Sequence, residues 1–141
     1  MEMKETRGKR NNNPFNIIKN ASNSWLGKIP SDLSNDSKFE QFLDMKYGIR
    51  AGLILLRRYI TQYRLDSVSE IIRRFAPESE NNIKAYITFV ESCMRSNGFT
   101  PYGIKFGTPQ FCSLCSSILI FESDFHCDEP YLMDIIHVFG L

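Results

Sequence analysis

The chain has 141 residues, a net charge of +1, 43% hydrophobic and 23% charged residues. That length suits a single domain spanning residues 1–141 with one core. The balance excludes a fibrous chain and wholesale disorder, and makes nucleic acid or anionic lipid an unexpected main partner, since both call for a strong basic excess.

The opening MEMKETRGKRNNN lacks the apolar centre of a secretory signal, and no apolar run reaches the ~20 residues that cross a bilayer. A chain cytoplasmic when synthesised, without membrane insertion, is expected. Residues 1–28 nevertheless carry Lys4, Arg7, Lys9, Arg10, Lys19 and Lys28 against Glu2 and Glu5. This local excess reads as a solvated end, a hold on an anionic polymer, or a nucleic-acid arm.

Residues 11–47 are rich in Asn, Ser and Asp, with short β-compatible runs at Phe15–Lys19, Trp25–Ile29 and Lys38–Leu43. Turn residues separate them, so a small irregular β-sheet is predicted, with Ser31–Ser37 as an exposed hairpin loop. From Gly48 the period becomes helical, with Ile49, Leu53, Leu56, Ile60 and Tyr63 on one apolar stripe. Ser67 and Glu70 have capping-box spacing and open a second helix that Pro77 ends. A third is predicted from Ser79–Asn82 to about Ser96, on the repeat of Ile83, Tyr86, Ile87, Val90 and Met94, with Gly98 as its stop. Thr108–Pro109 is an N-cap followed by proline at the first helical position, opening a very apolar helix through Phe121. A last helix runs from about Asp128 to Phe139. The fold class is therefore α+β and predominantly α-helical.

Glu122 is the most informative residue. It follows Ile118 by four positions, so it shares a helix face with Phe111, Leu114, Cys115 and Ile118. Burial and the negative end of the helix dipole both oppose its ionisation. A carboxylic acid that keeps its proton near neutrality suits general-acid cleavage of a glycosidic bond. The plainer alternative is a last-turn glutamate reaching out to water.

Arg7-Gly8-Lys9-Arg10-Asn11-Asn12-Asn13-Pro14-Phe15-Asn16-Ile17, with Trp25-Leu26-Gly27, Phe39 and Phe42, Gly48-Ile49-Arg50-Ala51, Phe75-Ala76-Pro77, Glu80-Asn81-Asn82 and Tyr86, resembles a family of small phage and prophage structural (virion) proteins, as found in gut Bacteroidales genomes. The resemblance covers nearly the whole chain and implies virion association, with other virion proteins as partners.

The order Asn13-Pro14-Phe15-Asn16-Ile17, Trp25-x-Gly27, Phe39, Ala51, Leu55-Leu56, Phe75-Ala76 and Tyr86 is also similar to flagellar-type N-acetylglucosaminidases. Ile118-Leu119-Ile120-Phe121-Glu122-Ser123 resembles the Glu-Ser helix end of lytic transglycosylases. In those enzymes the catalytic helix comes first, and here it comes last. The two resemblances together imply a lysozyme-like helical domain that is circularly permuted, with peptidoglycan glycan strands as its partner. Phe75 stands where the glucosaminidases keep a tyrosine, and Asp124 where the helix end usually has glycine.

On this resemblance Glu122 is the catalytic acid. Asn13 and Asn16 hold the cleft or contact the N-acetyl sugar, and Trp25, Tyr47 and Tyr86 are sugar-stacking candidates. The aromatics read equally well as core filling, and Asn11–Asn13 as turn formers. Classical hydrolysis needs a second carboxylate; Glu40 is the candidate, with Asp36 and Asp44 behind it. Lytic transglycosylases need only one acid.

Cys112-x-x-Cys115 with Cys127, His126 and His137 could suggest zinc. Two of those cysteines lie inside an apolar helix without the usual turn, so free buried thiols and no metal are the reading. No glycine-rich phosphate loop is present, and no cofactor is expected. Two functions stay open: a peptidoglycan glycosidase or lytic transglycosylase, and a catalytically inactive virion structural or cell-wall-binding protein. A DNA-contacting protein using the basic opening is a third.

Overall fold

The structure of the chain, a computed structural model, describes residues 5–76 and 82–141. Six helices follow in order among them: α1 (Arg7–Arg10), α2 (Met45–Thr61), α3 (Val68–Phe75), α4 (Ile83–Ser96), α5 (Pro109–Ser123) and α6 (Glu129–Val138).

Their starts are set by side chains that accept from otherwise orphaned helix amides. Ser67 Oγ accepts from the Glu70 amide at 3.2 Å and donates to the Glu70 carboxylate at 2.9 Å. Asn82 accepts from Ala85, Thr108 from Phe111 and Asp128 from Tyr131. The expected stop at Pro77 and the expected start across Ser79–Asn81 lie outside the described residues; α3 ends at Phe75 and α4 begins after Asn82. Helix α5 runs to Ser123, two residues past the predicted Phe121, and so takes Glu122 into its last turn.

Helix α5 is the central element. It packs against α4, α6 and α1, while α2 packs on α3 and α6. Every residue from Phe111 to Leu119 is buried, so this stretch of the helix has no solvent face. Its serines are satisfied locally: Ser116 and Ser117 donate to the Ser113 carbonyl at 3.1 and 2.7 Å, and Ser113 Oγ accepts from Asn97 at 3.1 Å. One apolar core extends from Phe15 and Phe42 through Leu53, Ile72, Val90 and Leu114 to Ile136.

The region before α2 departs from the predicted sheet. Only two isolated antiparallel bridges occur among the described residues, Ile18 with Phe39 and Lys28 with Phe42. They join the three segments anticipated as strands through a few backbone bonds, Lys19 to Lys38, Glu40 to Ile17, Ile29 to Gln41 and Leu43 to Gly27, while the Asn12 and Asn13 side chains take neighbouring groups, so the ladders stay too short to be a sheet. The class is therefore mostly α-helical. Two further expectations are corrected here. Asp36 is buried, although the rest of its loop is largely exposed, with Leu33 74% exposed at the tip. Tyr63 lies beyond the end of α2 and is half exposed, because the helical register stops at Gln62.

Helix α1, a single turn, was not anticipated. Thr6 caps it and donates to the Ser123 carbonyl at 2.7 Å. A β-carbon at Gly8 would lie 1.9 Å from Ser123 Oγ, and one at Gly48 would lie 1.8 Å from the Asn12 carbonyl. Glycine at these two positions lets the asparagine-rich segment pack directly against α5 and α2.

Candidate functional site

Glu122 ends up between residues far apart in sequence. Asn16 adopts a left-handed conformation (φ 54°), which asparagine tolerates better than most residues. This conformation aims its side-chain amide at the end of α5. Asn16 Nδ2 donates to Glu122 Oε1 at 3.0 Å and to the Glu122 carbonyl at 3.1 Å. From α4, the Tyr86 hydroxyl donates to Glu122 Oε2 at 2.7 Å. Both carboxylate oxygens thus have a fixed donor. Tyr86 stacks on Phe121 with centroids 3.9 Å apart, and burial together with the nearby carboxylate pushes its hydroxyl well above the ordinary tyrosine range. The turn after Glu122 closes with Asp124 in the left-handed region (φ 52°, ψ 35°), its amide donating to the Ile120 carbonyl at 2.9 Å. That is the conformation a glycine would adopt there most easily.

Glu122 lines a cleft of about 520 Å³. Asn16, Trp25, Phe39, Phe75, Arg74 and Lys19 line it as well, and Glu122 is the sole carboxylate among its described lining residues. The floor is apolar, with Phe75 set edge-on against Phe15 at 6.2 Å. Trp25 is half-buried, and its Nε1 has no hydrogen-bond partner among the described residues.

The other expected site residues have different positions. Asn13 is fully buried: its amide donates to the carbonyls of Ile17 and Glu40, both at 3.0 Å, and its oxygen accepts from the Ile17 amide at 3.0 Å. It fastens the turn that presents Asn16. Tyr86 has no exposed face on which a sugar could stack. Tyr47 lies outside the cleft, covering Gly27 and packing beside Phe139 at 6.0 Å.

Glu40 is fully buried and does not line the cleft. Its Oε2 pairs with Lys28 Nζ at 3.2 Å and accepts from the Asn20 amide at 3.2 Å. Lys28 also donates to the carbonyls of Asn20 and Asn23, both at 3.0 Å. Its three ammonium donors therefore clip the loop that carries Trp25.

Asp36 grips Arg7 through two oxygens at 2.7 and 2.8 Å and accepts from Asn11 at 2.8 Å. The guanidinium holds its carboxyl far below the usual carboxylate range, and the Phe39, Asn11 and Lys38 donors act in the same direction. Asp44 caps α2. Lys19, Arg7 and Lys28 are thus built into the fold; Lys4 lies outside the described residues.

All four cysteines are free. Burial pushes the thiols of Cys112 to about 11 and Cys127 to about 12, and that of Cys115 well above its ordinary value. His126 faces Asp124 at 2.7 Å on the surface. No group of three or more His, Cys, Asp or Glu suited to a metal occurs among the described residues.

Sequence reasoning missed the donor role of Tyr86 and the cleft position of Arg74. The sequence marks Tyr86 only as an aromatic. The spacing of Tyr59 and Tyr63, four residues apart, was the available signal for Arg74: its guanidinium lies 3.8 Å from the Tyr63 ring centre and 5.3 Å from that of Tyr59.

Comparison with known proteins sets this helical, cleft-bearing chain among phage proteins. It is 46% identical over 132 residues to Protein P5 of Pseudoalteromonas phage PM2, covering 92% of this chain and 77% of that protein, and it belongs to the Protein P5 family. No protein-family model matches it. Among the described residues no helix is long and apolar enough to cross a membrane.

Proposed function

We propose that this phage protein cleaves peptidoglycan glycan strands with one carboxylic acid, Glu122, in the manner of a lytic transglycosylase on a permuted lysozyme-like helical scaffold. The observation that carries the reading is a single helix-end carboxylate, held at both oxygens by Asn16 and Tyr86, on the wall of a cleft of about 520 Å³. The left-handed Asp124 supports it, because it takes the backbone shape of the glycine in the Glu-Ser-Gly helix end that this segment resembles.

Two-carboxylate hydrolysis would need a partner acid roughly 5–10 Å from the first. Glu40, Asp36 and Asp44 are each engaged elsewhere and none lines the cleft. A single-acid route fits better. Glu122 gives its proton to the glycosidic oxygen as that bond breaks. The resulting carboxylate then takes the proton from a hydroxyl of the same sugar as its oxygen closes on the anomeric carbon. An anhydro-sugar forms, no water is consumed, and the acid is restored. Asn16 and Tyr86 keep the carboxylate aimed throughout, and Trp25 offers a half-exposed ring to the strand.

The same clasp favours a second reading, binding of cell wall without turnover in a virion structural role, because both oxygens are already occupied by protein donors. Digestion of purified peptidoglycan followed by mass spectrometry of the soluble fragments separates the two. Anhydro-muropeptides that vanish with Glu122→Gln are the expected result. Retention on insoluble wall without release establishes the binding reading, and release that survives Glu122→Gln removes Glu122 from the mechanism.

A further inference from the structure

The cleft carries a charge pattern that glycan cleavage alone does not require. Besides Glu122, its described charged residues are Lys19 and Arg74. Neither forms an ion pair among the described residues. Lys19 gives one of its three donors to the Asp36 carbonyl at 2.7 Å, a neutral acceptor. Arg74 is exposed, and its plane is braced by Tyr63 at 3.8 Å and Tyr59 at 5.3 Å. Aromatic faces hold a guanidinium by its charge and flat shape while leaving its N–H edge free. When Glu122 carries the proton it must deliver, these lining side chains present two positive charges and no negative one.

A chain of neutral N-acetylated sugars gains little from such a field. The peptide stems attached to peptidoglycan end in and carry free carboxylates, which match a pre-set arginine fork in charge and geometry. Resting on the glycan-cleaving reading above, we propose that Arg74, assisted by Lys19, is a specificity element that makes the cleft select glycan whose peptide stems carry free carboxylates over the same glycan with those carboxylates neutralised. Arg74 is the better element of the two because its tyrosine brace leaves less rotamer freedom to lose on binding.

The test uses the full chain carrying Glu122→Gln, so that binding is read without turnover. Its co-sedimentation is measured with intact sacculi and with the same sacculi after carbodiimide coupling to ammonia, which turns the stem carboxylates into neutral amides and leaves the cross-linked network insoluble. Retention on intact sacculi should be roughly tenfold tighter, the ordinary size of one charge-assisted hydrogen bond. Adding Arg74→Gln should bring it to the level of the amidated sacculi, Arg74→Lys should restore part of the difference, and Lys19→Gln should remove less. Circular dichroism verifies that each variant is folded. Equal retention on both materials, or retention that ignores Arg74→Gln, overturns the role of Arg74 and leaves the cleavage reading standing if the wild type still releases fragments. Retention on neither material, with no release by the wild type, overturns both.

Discussion

In residues 5–44 the backbone is held by side chains as much as by its own hydrogen bonds, whereas from Met45 onward it is held mainly by helical hydrogen bonds and by apolar packing. Asn11, Asn12 and Asn13 bond to Asp36, Phe42, Ile17 and Glu40, and Lys28 ties three partners together. Helix α5 shows the opposite economy, with nine consecutive buried residues and polar groups satisfied within one turn or by a neighbouring helix. The difference teaches where each kind of damage should act. A polar clasp depends on individual charges and donors, so it fails one contact at a time and answers to pH; a packed helix fails by volume and caps.

The largest effect should come from Lys28→Met, which strands the buried Glu40 carboxylate. Breaking one side of a buried ion pair costs about 3–5 kcal/mol, seen as a lowered midpoint in urea or heat. Replacing both residues, Lys28→Met with Glu40→Met, should recover much of that loss. If the single change is harmless, the clip does not hold the early region.

The next effect is an acid one. Asp36 is held below its ordinary value of 3.8, so its carboxylate contributes stability above that value, and the contribution is lost as pH falls below it. Asp36→Asn should destabilise the protein at neutral pH and flatten the dependence of its thermal midpoint between about pH 4 and 2. Hydrogen exchange should show the early region opening before the helices in acid. A wild type whose two regions open together would erase the contrast.

Ser67→Ala sharpens the comparison from the helical side and is the smallest effect. Losing one N-cap costs about 1 kcal/mol, and the change should move the thermal midpoint without altering the acid profile. A pH-dependent loss would show that capping and the polar clasp are coupled.

The helices were legible because their signals are local. Ser67 with Glu70, Thr108 with Pro109, and Asp128 each announce a start, and the apolar spacing in α2 and α4 carries the burial. Glu122 stands out as a candidate in the same way, from its place four residues after Ile118. The early region resisted because its order is set by distant partners. Nothing near Asn13 or Asn16 tells which will lock a turn and which will reach the end of α5. Nothing around Glu40 reveals that Lys28 will cover it. The phage relationship is borne out by comparison, whereas the small sheet was a misreading of extended segments that share only a few backbone bonds, their other groups going to turns and side chains.

The clasp on Glu122 joins residues 106 and 36 positions apart. During translation, therefore, Asn16 and Tyr86 wait without their common acceptor until the end of α5 has left the ribosome. A truncated or stalled product that stops short of α5 lacks the assembled clasp altogether, so the carboxylate and its two donors meet only in a nearly finished chain.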